Sequence, residues 1–330
     1  MVSVIIPTRN RAKCLKVAIE SISGQSLDSS EYEIIVMDNG STDDTARIVN
    51  EINVKSPHIR YYIAPEPGLH VGRHLGARMA RGDILAYVDD DIIATPDWLL
   101  AIRDAFKDPG VAMVGGKILP KWEGDVPDWV DLFKVETEGG WTNGYLSLLD
   151  LGDTTKNISA LYVYGCNFSI RKPVLFECEG FHPDGMPHER IQYRGDGETA
   201  LSRAVMKKKY KTIYEPRATV YHLVPPERLT IEYFCLRAFN QGVSDSYAEI
   251  RRKYELQKIN DIFSDRALTL WDNLRKQIRP IMFWRHRRGD QLHTVKRKAA
   301  MAYEEGILFH RKQVKNDPEL LEYIVKKTYL

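Results

Sequence analysis

The sequence predicts an α/β fold built on a doubly wound, mostly parallel sheet, and three features carry that prediction. Over residues 1–119, short apolar runs rich in β-branched residues alternate with segments of helical periodicity. Each run ends in a polar, turn-forming stretch. The run Ile84 to Val88 passes directly into three consecutive aspartates, Asp89, Asp90 and Asp91. Strands alternating with helices at this spacing form right-handed βαβ units. In such sheets ligands bind outside the carboxyl ends of the strands, so the turns are where chemistry is expected.

In chain order, Val2 to Pro7 reads as a buried parallel strand. The turn Thr8-Arg9-Asn10-Arg11 follows, and a helix through Leu15, Val17, Ile19 and Ile22 ends near Gly24. Tyr32 to Met37 repeats the strand pattern and runs into Asp38-Asn39-Gly40-Ser41-Thr42-Asp43-Asp44, a turn leading to an N-capped helix. Ile59 to Ile63 is a third strand, followed past Pro67-Gly68 by a helix from about His70 to Ala80 that Gly82 closes. After the strand at Ile84 to Val88, Thr95-Pro96-Asp97 starts a helix reaching about Phe106, and Val111 to Leu119 is another strand. The four turns after the first four strands are expected along one edge.

From Lys121 to about Ser159 the alternation stops in a stretch carrying Trp122, Trp129 and Trp141, read as a long irregular insertion. Its tryptophans suit either stacking on sugar rings or pinning a loop to the core. Leu161 to Ile170 reads as one strand or a strand pair, and Arg194 to Leu201 opens a helix running to about Lys209. Tyr210 to His222 reads as one or two strands around Pro216, and everything beyond Pro226 is helical and increasingly basic.

The 330 residues give room for one large or two ordinary domains. We divide them into a catalytic unit over 1–225, with halves 1–119 and 120–225, and a helical extension over 226–330. A net charge of +2 argues against a polyanion-directed surface, and the basic tail lacks a recognised nucleic-acid module, so no nucleic acid is expected. Cys14, Cys166, Cys178 and Cys235 show no metal-binding spacing and read as reduced thiols of a cytoplasmic protein. The first strand begins almost at once, leaving no room for a signal peptide, and no apolar run approaches the roughly 20 residues of a membrane span.

Three adjacent carboxylates repel one another and lose solvation near a core, so they are costly without a shared cation. Oxygen ligands at a strand end suit Mg²⁺ or Mn²⁺, which also take oxygens from a diphosphate. Taken alone, the triplet reads as a solvated turn capping the next helix. The rest of the pattern reverses that preference.

Pro7-Thr8-Arg9-Asn10-Arg11, Asp38 to Asp43, Gly72-Arg73-His74-Leu75-Gly76, Ala80 to Asp83, the aspartate triplet, Gly165-Cys166-Asn167, Gly197-Glu198-Thr199 and His222 occur in that order. As a set they resemble the bacterial glycosyltransferases of family 2, which have the GT-A fold. The resemblance covers about two-thirds of the chain. It implies a nucleotide-sugar site at Pro7, Thr8, Arg9, Asn10, Asp38, Arg73, Asp89 and Asp90, with Asp38 receiving the base. It implies Mn²⁺ or Mg²⁺ held by Asp91, Asp89 and His222. Glu198 falls where the family has the carboxylate that deprotonates the acceptor, with Asp196 as the other candidate. Three departures stand out: Asn39 for a second Asp, His74 for an Asn, and Gly197-Glu198 for Glu-Asp.

The implied reaction is a single in-line, inverting transfer from a nucleotide sugar, expected to be a UDP-sugar, to a hydroxyl of a saccharide, glycolipid or other acceptor. Surface-polysaccharide or glycoconjugate synthesis is the setting the resemblance suggests. The alternatives are a non-catalytic binding module of the same fold and a sugar nucleotidyltransferase. The latter would want a Gly-rich loop after the first strand, where Pro7-Thr8-Arg9-Asn10 has no glycine. In the tail, Ala267, Leu270, Trp271, Leu274 and Ile278 recur at helical spacing before Ile281 to Arg288. Over 267–288 that stripe fits burial in the core, a homodimer contact, or peripheral attachment at the inner face of a membrane.

Overall fold

The computed structural model describes residues 1–54, 58–64, 66–256 and 291–330. The expected 267–288 stripe lies outside the described residues. Strands β1 (Val2–Thr8), β2 (Tyr32–Asp38), β3 (Ile59–Ile63) and β4 (Ile84–Tyr87) alternate with helices α1 (Ala12–Ser23), α2 (Thr45–Asn53) and α3 (Leu69–Met79). They form a parallel sheet in the order β3-β2-β1-β4. The period-two alternation of buried strands decides which face each side chain takes. Val2, Val4, Ile6, Ile34 and Val36 pack beneath α1, while Ile5, Ile35 and Met37 face α3 on the other side.

Beyond β4 the sheet is mixed. The short β5 (Ile92–Ala94), unmarked in the sequence pattern, follows the triplet and leads to α4 (Trp98–Ala105). Strand β6 (Val111–Trp122) runs past the expected end at Leu119. The stretch read as an irregular insertion instead contains β7 (Val135–Thr137), β8 (Gly140–Asn143), β9 (Leu148–Asp150) and β10 (Lys156–Asn157). The first three form an antiparallel ribbon that joins the sheet through β9 and β6. Strands of two to four residues are too short for alternation to show in sequence. Trp129 is a pin: its ring meets Phe234 edge-on at 4.9 Å and Phe133 at 6.4 Å.

Of the expected strand over Leu161 to Ile170, only β11 (Phe168–Arg171) forms, antiparallel to both β4 and β6. The residues before it make two single 3₁₀ turns. Helices α5 (Lys172–Glu177) and α6 (Gly197–Lys207) follow. Strand β12 (Lys211–Val224) is one strand, parallel to β6, with its register shifted between Glu215 and Val220 around Pro216. The described part of the extension is helical, as expected: α7 (Ile231–Glu255), α8 (Gln291–Asn316) and α9 (Pro318–Ile324).

Helices α7 and α8 cross at two glycines. A Cβ on Gly242 would lie 2.1 Å from the Tyr303 carbonyl, and one on Gly306 would lie 2.1 Å from that of Phe239. Beside this crossing, His310 is fully buried, with Nδ1 2.9 Å from Ser246 Oγ. Burial lowers its pKa to about 4 from the ordinary 6.5. The unfolded chain therefore takes up a proton below pH 6.5 that the folded chain refuses until about pH 4. The stability from this group is full above pH 6.5 and drains away as the pH falls through that window. In urea unfolding between pH 6.5 and 4.5, the stability of wild type should fall more steeply than that of His310→Leu by about 1.4 kcal/mol per pH unit. Equal slopes would mean that His310 is not held neutral.

Candidate active site

The turns after β1, β2 and β4 meet at one sheet edge, and their side chains bind each other. Asn10 takes φ +54°, which lets its Oδ1 accept from Thr42 N at 2.7 Å while its own N donates to Ser41 Oγ at 2.9 Å. Thr8 Oγ1 donates to Asp90 Oδ2 at 2.7 Å. Asn39 Nδ2 donates to the Gly68 carbonyl at 3.0 Å, tying in the turn after β3. The expected gathering of turns is thus built from hydrogen bonds between them. Arg9 is exposed and has no role in these bonds.

Asp38, 2% exposed, accepts from Ser41 N at 2.7 Å and from the Tyr61 hydroxyl. A carboxylate has about four acceptor positions, so capacity remains for a further donor. Pro7 and Gly72 shape the neighbouring wall: a Cβ on Gly72 would lie 3.4 Å from Pro7 Cβ and 2.7 Å from Asn39 Oδ1.

The three aspartates diverge. Asp89 is part-exposed, whereas Asp90 and Asp91 are buried at 4% and 1% exposure. Arg11 spans the buried pair, Nε 3.3 Å from Asp90 and Nη2 2.9 Å from Asp91. Burial pushes the Asp90 carboxyl up to about 7, against the pull of Arg11 and the Thr8 hydroxyl. Asp91 moves the other way: although burial opposes ionisation, His222, Arg228 and Arg11 together hold it far below the usual carboxylate range.

Asp89, Asp91 and His222 each offer a ligand atom, all within 4.8 Å of one another. Whether they suit a divalent cation can be judged from the protons. His222 Nδ1 donates to the Leu146 carbonyl at 2.9 Å, so in the neutral ring Nε2 carries the lone pair. Arg228 Nη1 lies 3.0 Å from that Nε2, and its Nη2 donates to Asp91 Oδ2 at 2.6 Å. Asp91 Oδ1, 3.3 Å from Nε2, is buried without a hydrogen-bond donor. The unpartnered Asp91 Oδ1, with the Asp89 carboxylate and a His222 Nε2 that now accepts from Arg228, is a donor set that fits Mg²⁺ or Mn²⁺ with Arg228 turned aside. From sequence, Arg228 belongs to the start of the helical tail, a segment able to fold back over a donor diphosphate; its pairing with Asp91 was not foreseen.

Arg73 joins the two halves of the site. It is 2% exposed, with Nη2 3.5 Å from Asp89 Oδ1 and Nη1 3.4 Å from Glu198 Oε2. Its guanidinium lies 5.0 Å from the Phe181 ring centre. Gly165 leaves room for it, since a Cβ there would come 2.3 Å from Nη2. Asn167 is a joint rather than a site residue: it accepts from Trp98 Nε1 and donates to the Lys117 and Ala218 carbonyls. Arg81 and Gly82 serve the opposite end of the sheet, their amides donating to Glu33 and Ser3.

The two base candidates differ in what they touch. Glu198, in the first turn of α6, faces Arg73 and accepts from Gly165 N at 3.4 Å. Both oxygens of Asp196 are engaged elsewhere, Oδ1 by His182 Nδ1 at 2.6 Å and Oδ2 by Arg203 Nη1 at 2.9 Å. His182 was not singled out from sequence. His74, the second departure, is also accounted for: its Nε2 accepts from Phe181 N at 2.8 Å and its Nδ1 donates to the Tyr329 carbonyl at 3.0 Å.

A glucosyl-dolichyl phosphate glucuronosyltransferase of Haloferax volcanii is 24% identical over 246 residues, which are 74% of this chain and 75% of that protein. A dolichol-phosphate mannosyltransferase of Pyrococcus furiosus is 26% identical over 214 residues, 65% of this chain and 54% of that one. The chain thus spans only about half the length of the second relative. Both are archaeal, so the likeness is not confined to the bacterial members that the motifs resemble. In fold, the chain is similar to a mannosyltransferase of Pyrobaculum calidifontis solved with GDP-Man and Mn²⁺. That likeness has a TM-score of 0.54 and 17% identity, and covers 98% of this chain and 84% of that one. The model of glycosyl transferase family 2 matches residues 3–177, a span that takes in the aspartate triplet and the Gly165–Asn167 turn, and the chain belongs to that family.

Proposed function

We propose that the chain is an inverting, metal-dependent glycosyltransferase that moves a sugar from a nucleotide sugar, a UDP-sugar by preference, to an acceptor hydroxyl. The observation carrying this reading is the Arg73 bridge, which sets the Asp89 side of the acidic cluster and the Glu198 carboxylate on one guanidinium. The names of the two archaeal relatives favour a lipid-linked acceptor, with a saccharide hydroxyl as the other class. Glycoconjugate synthesis at the inner face of a membrane would fit such an acceptor. Among the described residues no helix is long and apolar enough to cross one.

In this reading Asp38 and the Thr8–Asn10 turn receive the nucleoside. Asp89, Asp91 and His222 would hold Mn²⁺ or Mg²⁺, which supplies positive charge for the departing diphosphate. Arg11 and Arg228, both on Asp91, are placed to turn towards the diphosphate and share its charge. Glu198 accepts the proton of the attacking hydroxyl, with Arg73 Nη1 3.4 Å from its Oε2 to fix its direction. One base opposite the leaving group gives a single displacement and inversion at the anomeric carbon. Asp196, bound on both oxygens, is left to orient the start of α6.

Calorimetric titration with UDP, GDP and dTDP, each with Mn²⁺ and with EDTA, tests the donor side. One diphosphate, UDP on this reading, should bind tightly only with Mn²⁺, and Asp91→Ala should lose that metal-dependent part. Binding of none, or binding indifferent to EDTA, would remove metal-dependent transfer. For the base, Glu198→Gln should keep diphosphate affinity within about threefold and lose turnover by about a thousandfold, in the range of a general base together with its charge. Asp196→Asn should retain most turnover. The reverse pattern would transfer the role to Asp196.

A further inference from the structure

The segment Thr328–Leu330 lies against the loop from Glu179 to His182 and against helix α3. Thr328 Oγ1 is 3.4 Å from the Glu179 carbonyl, and a Cβ on Gly180 would meet Leu330 Cδ2 at 2.8 Å. Tyr329, between them, is held by the helical extension. Its hydroxyl donates to the Tyr323 carbonyl at 2.6 Å and accepts from Tyr247 at 2.8 Å. Arg251 of α7 closes the turn beneath it by donating to the Ile324 carbonyl and, at 2.7 Å, to that of Lys326.

On its other side Tyr329 touches the supports of both Arg73 and Glu198. Its carbonyl takes the proton of His74 Nδ1, and its ring meets His70 edge-on at 6.1 Å. His70, Arg73 and His74 stand at i, i+3 and i+4 on α3, so they share one face of that helix. The same ring meets His182 at 5.6 Å. His182 holds Asp196, the residue preceding the first turn of α6, and donates its own N–H to the Gly197 carbonyl at 3.2 Å. Glu198 is the next residue. Phe181, whose N–H is held by His74, lies under the Arg73 guanidinium.

We propose that Tyr329 is a positioning residue through which the helical extension sets Arg73 and Glu198 relative to each other. It touches no reacting group. It acts through His74 and Phe181 on one side and through His182 and Asp196 on the other. A shift of about 1 Å between a base and its partner is enough to cost orders of magnitude in rate, so a rigid tie of this kind has a catalytic consequence. The imidazole of His74 stays neutral, its pKa lowered by burial to about 3, so the bond to Tyr329 keeps its direction across the working pH range. The proposal rests on the reading of Glu198 and Arg73 as site residues, and its test needs no substrate, so the two can fail separately.

Amide hydrogen exchange on the full chain, without ligand, reads the tie directly at Phe181, His182 and Thr199, whose N–H groups bond to His74, Gly197 and Asp196. In Tyr329→Ala these amides should exchange at least about tenfold faster than in wild type, with the amides of β1 and β2 unchanged. Tyr329→Phe keeps the ring on His182 and should stay within about threefold of wild type. If Tyr329→Ala does not fold, His182→Gln decides: it should speed exchange at Thr199 and leave Phe181 as it was. Unchanged amides, a rise shared by the central strands, or equal effects of Phe and Ala in a folded chain would overturn the proposal. In the fallback variant, an unchanged Thr199 would do the same.

Discussion

The arrangement depends on keeping three adjacent carboxylates, two of them buried, at the end of β4. Arg11 comes from the turn after β1, Arg73 from α3 and Arg228 from the turn before α7, and all three guanidinium groups converge on the triplet. Removing one partner from a buried ion pair typically costs 3–5 kcal/mol, because the other charge is left uncompensated. Three segments far apart in sequence are therefore drawn to one point by a single electrostatic requirement. The same requirement suits the proposed chemistry: where several cations already serve a carboxylate cluster, a metal and an anionic diphosphate could exchange partners with them without leaving a bare charge.

The motifs shared with the family divide by what they do physically. The Thr8, Asp38 and triplet segments present side chains to the sheet edge, whereas Gly165, Asn167 and Gly82 serve close approach. Gly165 exists because Arg73 fills the volume where its Cβ would be, and Gly82 because a Cβ would lie 2.5 Å from the Met1 carbonyl. A motif residue can thus shape the site without presenting a side chain to it. Arg73 could not reach both Asp89 and Glu198 past an alanine at 165.

The first half of the fold was legible because buried parallel strands are continuous apolar runs, and β3 was bounded from sequence at the residues observed. The acidic cluster was legible only together with the other motifs, since the triplet taken alone reads equally as a solvated turn capping the next helix. The ribbon of β7 to β9 and the short β5 were not. Their pairing is decided by neighbours far along the chain, not by local periodicity. Between Glu198 and Asp196 the sequence favoured Glu198 on register alone. What each carboxylate touches was not legible, since His182 and Arg203 lie at distances no motif specifies.

The Glu198 side of the proposed site poses a problem that the aspartate side does not. The turns after β1, β2 and β4 all hang from parallel strands of one sheet, which hold them in register through backbone hydrogen bonds. Glu198 sits on α6, outside that ladder, where the start of the helix takes its direction from a left-handed Gly197 at φ +51°. A Cβ at Gly197 would come 2.7 Å from Asp184 Oδ2, and Asp184 is held by Arg194 at 2.8 Å. The start of α6 is therefore set by Asp184 behind it, Arg73 in front and the backbone bond from His182 N to the Gly197 carbonyl, while Leu201 and Val205 bury its inner face in the core. A helix placed in this way needs a rigid backing. The α7–α9 extension supplies one, which accounts for helices so far from the nucleotide turns sending Tyr329 back to the two histidines that flank the bridge.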